Sequence, residues 1–223
     1  MKKKTTDILI WLLALLPVLL VAVLYGRLPD RVPTNWGLNG EVSYSGKAFL
    51  WVTALACPVL AVLFRVLPKI DPRKKNYDRF RNYYDGFCLV MLLFLLGLNV
   101  VTLIESLRPG TVSVSRLIVV GLGLLLIFLG NMMPKVKNNF FVGIKNPWTL
   151  SDPDVWNRAN RLGGLLFFAA GVALVPSGLF LPEAASLAVT MIGALTAAVV
   201  PTVMSYIWYR QKTGQTVDKD EGG

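Results

Sequence analysis

The side chains best suited to binding a ligand lie in one polar stretch, residues 130–161, between two hydrophobic runs. Its basic residues are Lys135, Lys137, Lys145, Arg158 and Arg161. Basic residues that follow an apolar helix lie at the depth of the phospholipid phosphates, and an arginine can hold a phosphate with two parallel N–H groups. The pattern indicates binding of lipid phosphate or docking of a partner protein.

The remaining composition argues against an enzyme. The chain has no histidine, which is both the commonest metal ligand and the commonest proton shuttle near neutral pH. A serine nucleophile would need a lysine as its base, and no motif places one; no glycine-rich phosphate loop stands out either. Cys57 and Cys88 lie within apolar runs, as small buried hydrophobes do, so a disulfide is not expected. We therefore predict no catalytic residue, no metal and no cofactor.

Within the polar stretch, Gly143 and Pro147 mark a non-helical turn, and Gly143 is expected where a side chain would obstruct the fold. Ser151 has the character of a helix N-cap, so a short amphipathic helix is expected to follow and to lie in the membrane interface. Trp148 and Trp156 are expected to anchor this segment among the lipid headgroups.

The elements around this stretch are hydrophobic helices. The 223 residues are 54% hydrophobic, and the mean hydropathy is +0.56. Apolar runs recur, each long enough to cross about 30 Å of hydrocarbon. They cover residues 8–24, 48–67, 86–104, 116–133, 163–181 and 184–208. The predicted fold class is an all-α integral membrane protein, a six-helix transmembrane bundle.

The basic residues predict the orientation of this bundle. Of the 23 lysines and arginines, 18 fall on one side of the predicted spans and five on the other. Because basic loops stay inside, both termini and the polar stretch are predicted to be cytoplasmic in a multi-pass protein of the cell membrane. The net charge of +10 is spread over these loops, so it indicates contact with anionic lipid and no direct binding of nucleic acid.

The first outer loop, residues 25–47, is too long for a simple connection. Asn39-Gly40 is a hairpin turn signal, and alternating side chains flank it. We expect a small folded cap with Trp36 near the outer interface; the alternative is a flexible loop with interfacial aromatic residues. Asp30 and Glu41 in this loop could bind a cation or a basic peptide, or could be solvated loop charges.

Two motifs resemble a known family. Residues 134–151 read Pro-Lys-Val-Lys-x-Asn-x-Phe-x-Gly-Ile-Lys-x-Pro-Trp-Thr-Leu-Ser, and Val-Trp-Asn follows at 155–157. This string resembles the signature loop of the SdpI family. Residues 28–36, Leu-Pro-Asp-Arg-Val-Pro-Thr-Asn-Trp, with Gly40-Glu41 and Gly46-Lys47, resemble the N-terminal domain of unknown function often found with it.

The resemblance implies a membrane immunity protein, which protects its host from a secreted peptide toxin and can also hold a cytoplasmic repressor at the membrane. The outer loop would receive the toxin through Asn35, Trp36, Asn39, Gly40 and Glu41. The inner loop would bind the partner or lipid through Lys135, Lys137, Asn139, Gly143, Lys145, Pro147, Trp148, Trp156, Arg158 and Arg161.

The alternative function is a transporter or lipid-handling membrane protein or enzyme that binds phosphate headgroups through the same basic loop. Ion-coupled transport is disfavoured, because no ionisable residue falls near the centre of a predicted span. The predicted division of the chain is an N-terminal membrane region over 1–110 with the outer loop 25–47, an SdpI-like region over 111–210 with the signature loop 134–162, and a disordered tail over 211–223.

The sequence departs from the family pattern at several positions, among them Lys145-Asn146, which replaces the usual Arg-Thr, and both histidine positions. Asn35 stands where the outer motif usually has histidine, and Asn160 stands where the inner motif usually has another. Asparagine can hydrogen-bond but cannot carry a proton. Any family function that binds a metal or moves a proton at these positions is therefore not expected here, whereas hydrogen-bonding or packing roles would survive.

Overall fold

A computed structural model of the protein describes residues 3–37 and 41–220. Within that part of the chain, six helices are long and apolar enough to cross a membrane, which confirms the predicted six-helix bundle. They are α1 (Lys3–Leu24), α2 (Phe49–Ile70), α3 (Tyr77–Leu107), α4 (Val114–Met132), α6 (Pro153–Phe180) and α7 (Glu183–Asp220). A short helix, α5 (Pro147–Ser151), precedes α6.

Two groups of helices make up the bundle. The helices α1, α2 and α3 pack on one another, and α6 packs between α4 and α7. One buried cluster, which includes Ile10, Phe64 and Leu92 from the first group, also contains Met132 and Trp156 from the second. The groups therefore share a core at the end where α4 finishes and α6 begins.

The helices α4 and α6 approach each other through glycine. A Cβ atom on Gly130 would lie 2.4 Å from the backbone nitrogen of Phe168, and one on Gly171 would lie 2.5 Å from the carbonyl oxygen of Gly123. Since these gaps are smaller than any real side-chain contact, only glycine permits the two backbones to meet. Close packing of this kind replaces the hydrophobic effect as the force between helices in lipid.

The first loop is a β-hairpin packed on the bundle. Strand β1 (Arg31–Trp36) pairs antiparallel with β2 (Val42–Gly46), and a bulge interrupts the register between Pro33 and Asn35. Val32 is fully buried in a cluster with Leu50 and Leu103 of the neighbouring helices. The structure thus confirms that the outer loop is folded and is not a flexible loop. The predicted Asn39-Gly40 turn lies outside the described residues.

The start of α6 differs from the prediction. No separate interfacial helix forms, because α6 runs from Pro153 into its membrane span without a break. The N-cap is Asp152, whose Oδ1 accepts the N–H groups of Asp154 and Val155, and not Ser151. The hydroxyl of Ser151 instead donates to the carbonyl of Pro147, at 2.7 Å, within α5.

The chain's last segment was predicted to be a disordered tail over 211–223. Among the described residues α7 extends to Asp220, and 221–223 lie outside them. Extending an existing helix adds one hydrogen bond per residue without a new nucleation step, so a polar segment without proline can continue it. Lys212 in this segment forms a salt bridge of 2.7 Å with Asp152.

Candidate functional site

The signature loop folds into a compact structure, the loop cap, which comprises residues 134–152 at one end of the bundle. Asn139, at its centre, has no exposed surface. Its Oδ1 accepts the N–H groups of Phe141 and Val142 at 2.8 and 2.7 Å, and its Nδ2 donates to the carbonyls of Lys137 and Val142. The hydroxyl of Tyr77, at the start of α3, also lies 3.3 Å from this Oδ1 as a donor. Asn139 therefore shapes the turn from within and contacts the first group of helices.

Gly143 adopts φ +113°, a conformation that side chains rarely take. A Cβ atom there would lie 2.6 Å from Oδ1 of Asn160 and 3.1 Å from the indole of Trp156. This is the obstructed turn that the sequence predicted.

Trp156 itself differs from the prediction. It is 1% exposed, and its indole N–H donates to the carbonyl of Val136 at 3.0 Å. It is a core residue beneath the loop cap and not an anchor among lipid headgroups, because the continuous α6 turns this face toward the cap.

Asn160 ties the loop cap to α6. Its Oδ1 accepts the N–H of Ile144 at 3.0 Å, and its Nδ2 donates to the carbonyl of Trp156 at 3.0 Å. One acceptor and one donor are what a neutral imidazole also offers. The hydrogen-bonding role expected to survive the change from histidine is therefore present.

The second half of the cap docks on α7. Asn146 is the N-cap of α5: its Oδ1 accepts the N–H of Thr149, and the hydroxyl oxygen of Thr149 accepts the N–H of Asn146. Pro147 occupies the first helical position. The Nδ2 of Asn146 also donates to Oγ of Ser205 at 2.8 Å, and the ring of Trp148 lies 5.0 Å from that of Tyr206. Trp148 is thus half-buried against α7.

The loop between α2 and α3 holds the other side of the cap. Asp71, 2% exposed, accepts hydrogen bonds from the backbone of Phe140 at 2.9 Å and from the hydroxyl of Tyr77 at 3.0 Å. A buried carboxylate needs such donors. Sequence reasoning missed Asp71; the available signal was an acidic residue within a strongly basic segment.

Arg73 and Asn76 extend this attachment. Arg73 hydrogen-bonds the side chain of Asn138 and the carbonyl of Leu150, the latter at 2.8 Å, while Asn76 donates to the carbonyl of Asn138 at 2.7 Å. Arg73 was assigned only an orienting charge from the sequence. In the structure it also fixes the loop cap to the first group of helices.

The predicted basic residues do not form one site. Lys135, Arg158 and Arg161 line a shared groove of about 810 Å³ between α4 and α6, closed on one side by Trp208 of α7. The Arg158 guanidinium lies 4.5 Å from the Trp208 ring centre. Lys137 and Lys145 are not part of this groove. We call it the basic groove; its remaining lining residues are Gly130, Asn131, Pro134, Leu162, Gly164, Leu165 and Phe168.

At the start of α6, Asp152 has a shifted pKa. Partial burial opposes its ionisation, but the Lys212 salt bridge and the backbone N–H groups of Val155 and Asp154 outweigh burial and hold the pKa of this carboxyl below its usual value. Asp152 therefore stays ionised and keeps α7 attached to the loop cap.

At the opposite end of the bundle, a cavity of about 440 Å³ lies beside the hairpin. Trp36 and Gly37 form one wall, and the other walls come from the start of α4 and the turn between α6 and α7. We call it the hairpin pocket. Of the predicted toxin-facing residues, only Trp36 lines it; Asn35 and Glu41 are exposed beside it, and Asn39 and Gly40 lie outside the described residues.

Six spanning helices with a folded structure at each end define a multi-pass membrane protein. Residues 135–205 match the SdpI/YfhL protein family, and residues 12–62 match a domain of unknown function, DUF1648. The chain is 28% identical over 217 residues to "Immunity protein SdpI" of Bacillus subtilis (strain 168), covering 96% of this chain and 99% of that protein. The two family matches fall on the two motifs singled out in the sequence, and the chain is similar to this immunity protein over nearly its whole length, which confirms the resemblance to the SdpI family. No solved structure matches it.

Proposed function

We propose that this protein protects its own membrane against a secreted peptide toxin, which it receives at the hairpin pocket. The observation that carries the proposal is the composition of that pocket. Trp36 and Gly37 come from the region that matches DUF1648, whereas Gly178 and Leu181 come from the region that matches the SdpI family. A ligand there would contact both matched regions at once.

The chemistry of the hairpin pocket suits part of a peptide. Its walls are mainly apolar, with Ile118, Val119 and Leu187 among them, while Arg116 and Glu183 add one charge of each sign. A volume of about 440 Å³ lies within the range of small-ligand sites, so it would take a few side chains and not a whole toxin. The exposed hairpin would bind the remainder of the peptide by adding a strand to its edge.

This proposal requires the hairpin to face outward. The excess of lysine and arginine at the loop-cap end supports that orientation, with both termini cytoplasmic. The pocket would then open where a secreted peptide arrives, and the loop cap would face the cytoplasm.

A receptor role is supported by the course of α7. Its first turns supply Ala184 and Leu187 to the hairpin pocket, and its later turns supply Ser205 and Tyr206 to the loop cap. A shift of α7 on peptide binding would therefore reach the cap, where a cytoplasmic repressor could dock. The repressor is a prediction from the family resemblance.

The test is protection of a sensitive host. Cells that express the full chain are challenged with the peptide fraction secreted by bacteria that encode it, and survival is compared with empty-vector cells. Survival limited to cells with the protein supports the proposal. Equal killing of both, with the protein present in the membrane, contradicts it.

A further inference from the structure

The basic groove has a one-sided charge. Lys135, Arg158 and Arg161 contribute three cations, and no carboxylate lines it. None of the three takes part in a salt bridge with a described residue. Arg158 and Lys135 instead lie over aromatic rings, those of Trp208 and Tyr83, at 4.5 and 5.0 Å. The groove thus presents positive charge that the described protein does not neutralise.

A second cavity at the same end of the bundle shows the contrast. It measures about 470 Å³ and lies among α1, α2 and α3. Four cations line it, but so do Asp7, Asp78 and Asp85, and Asp7 already pairs with Arg65. Its charges are largely balanced, so an anion is favoured in the basic groove and not here.

Below its cations the groove is apolar. Leu165 and Phe168, which are 64% and 42% exposed, lie on α6 beyond Arg161. Phe168 lies seven positions after Arg161 in the helix, which is about 10 Å along the axis toward the middle of the span. Asn131 of α4, exposed in the same lining, offers an amide donor near the cations. The groove therefore offers a matching surface to each part of a phospholipid. The cations would face the phosphate, Asn131 would face the ester oxygens, and the apolar side chains would face a hydrocarbon chain.

We propose that the basic groove binds an anionic phospholipid of the phosphatidylglycerol class, with its phosphate held by Arg158, Arg161 and Lys135 and one acyl chain along Leu165 and Phe168. A cytoplasmic protein fits less well, because the groove continues into the depth of the membrane span. Structurally, the lipid would join α4, α6 and α7 beside the loop cap.

The experiment measures which lipids the full-length protein retains. The protein is reconstituted in bilayers of phosphatidylglycerol and phosphatidylcholine, re-extracted in mild detergent, and its bound lipids are counted by mass spectrometry. We expect phosphatidylglycerol to be enriched over its share of the bilayer. Arg158→Gln with Arg161→Gln should reduce that enrichment about tenfold. Each basic residue near an anionic headgroup contributes roughly fivefold, or about 25-fold for the two, and salt screening lowers this product. Arg158→Lys with Arg161→Lys should retain most of it.

The matched control is Lys75→Gln with Arg79→Gln, which removes two exposed positive charges at the same end without touching the groove. An equal loss in this control, or no enrichment in the unaltered protein, would overturn the site. Displacement of the lipid by millimolar glycerol 3-phosphate would overturn the acyl-chain contact. Unchanged lipid retention in the Gln variant, with loss of a bound cytoplasmic protein, would assign the arginines to a protein partner instead.

Discussion

The indole N–H of Trp156 donates to the carbonyl of Val136 across 3.0 Å, inside the junction of α6 with the loop cap. This bond ties the first turn of α6 to Val136 of the loop cap, four residues after the end of α4. Both residues are 1% exposed, so water does not compete for the bond. The junction is therefore a buried structural unit that positions the exposed charges of the basic groove.

Trp156→Phe should destabilise the protein by about 1–3 kcal/mol, because it leaves the Val136 carbonyl buried without its donor. Thermal unfolding in detergent measures the change. The control is Trp148→Phe, since Trp148 is half-buried against Tyr206 on the surface of α7. A melting temperature for Trp156→Phe no lower than that of the control would contradict the importance of this bond.

The turn at Gly143 gives a second test. Gly143→Ala should cost about 1–3 kcal/mol for backbone strain, and more for its clash with Asn160 and Trp156. Gly110→Ala is the matched control, because Gly110 also has positive φ, +77°, but has no atom within 4 Å of the added Cβ. Equal destabilisation of the two variants would show that strain alone, and not the packing of the loop cap, makes glycine necessary.

The close contact between α4 and α6 gives a third test. Gly130→Ala should lower the melting temperature strongly, because its new Cβ would overlap backbone atoms of α6 that cannot rotate away. In Gly97→Ala the Cβ meets nothing within 4 Å and gains helix propensity, so that variant should be neutral or slightly stabilised. If Gly130→Ala unfolded at the wild-type temperature, the two helices would not lie this close.

Orientation is tested by labelling. Thr111 and Ser151 are small, exposed residues at the hairpin end and the loop-cap end, and both native cysteines, Cys57 and Cys88, are buried. In intact cells an impermeant thiol reagent should label Thr111→Cys and spare Ser151→Cys. Labelling of Ser151→Cys alone would reverse the proposed topology and place the hairpin pocket in the cytoplasm.

The sequence predicted the features that depend on local patterns. The length of the apolar runs predicted the six spans, and the alternating side chains around Asn39-Gly40 predicted the hairpin. Gly143, within the polar stretch, predicted the turn. It did not predict what depends on distant partners. Trp156 was assigned to the membrane interface because its helical face is apolar, and only the fold shows that the loop cap covers that face. Asp71 and Arg73 contact the cap across more than 60 residues of sequence, which no local pattern reveals.

The central claim, that a peptide is received at the hairpin pocket, is tested most directly by Trp36→Ala. The matched control is Tyr44→Ala, an aromatic residue of the same hairpin that is 51% exposed and does not line the pocket. Survival of expressing cells is measured against a dilution series of the secreted peptide fraction, with membrane levels of each variant checked. The account predicts that Trp36→Ala loses protection while Tyr44→Ala retains it. Full protection by Trp36→Ala at a normal membrane level would contradict it.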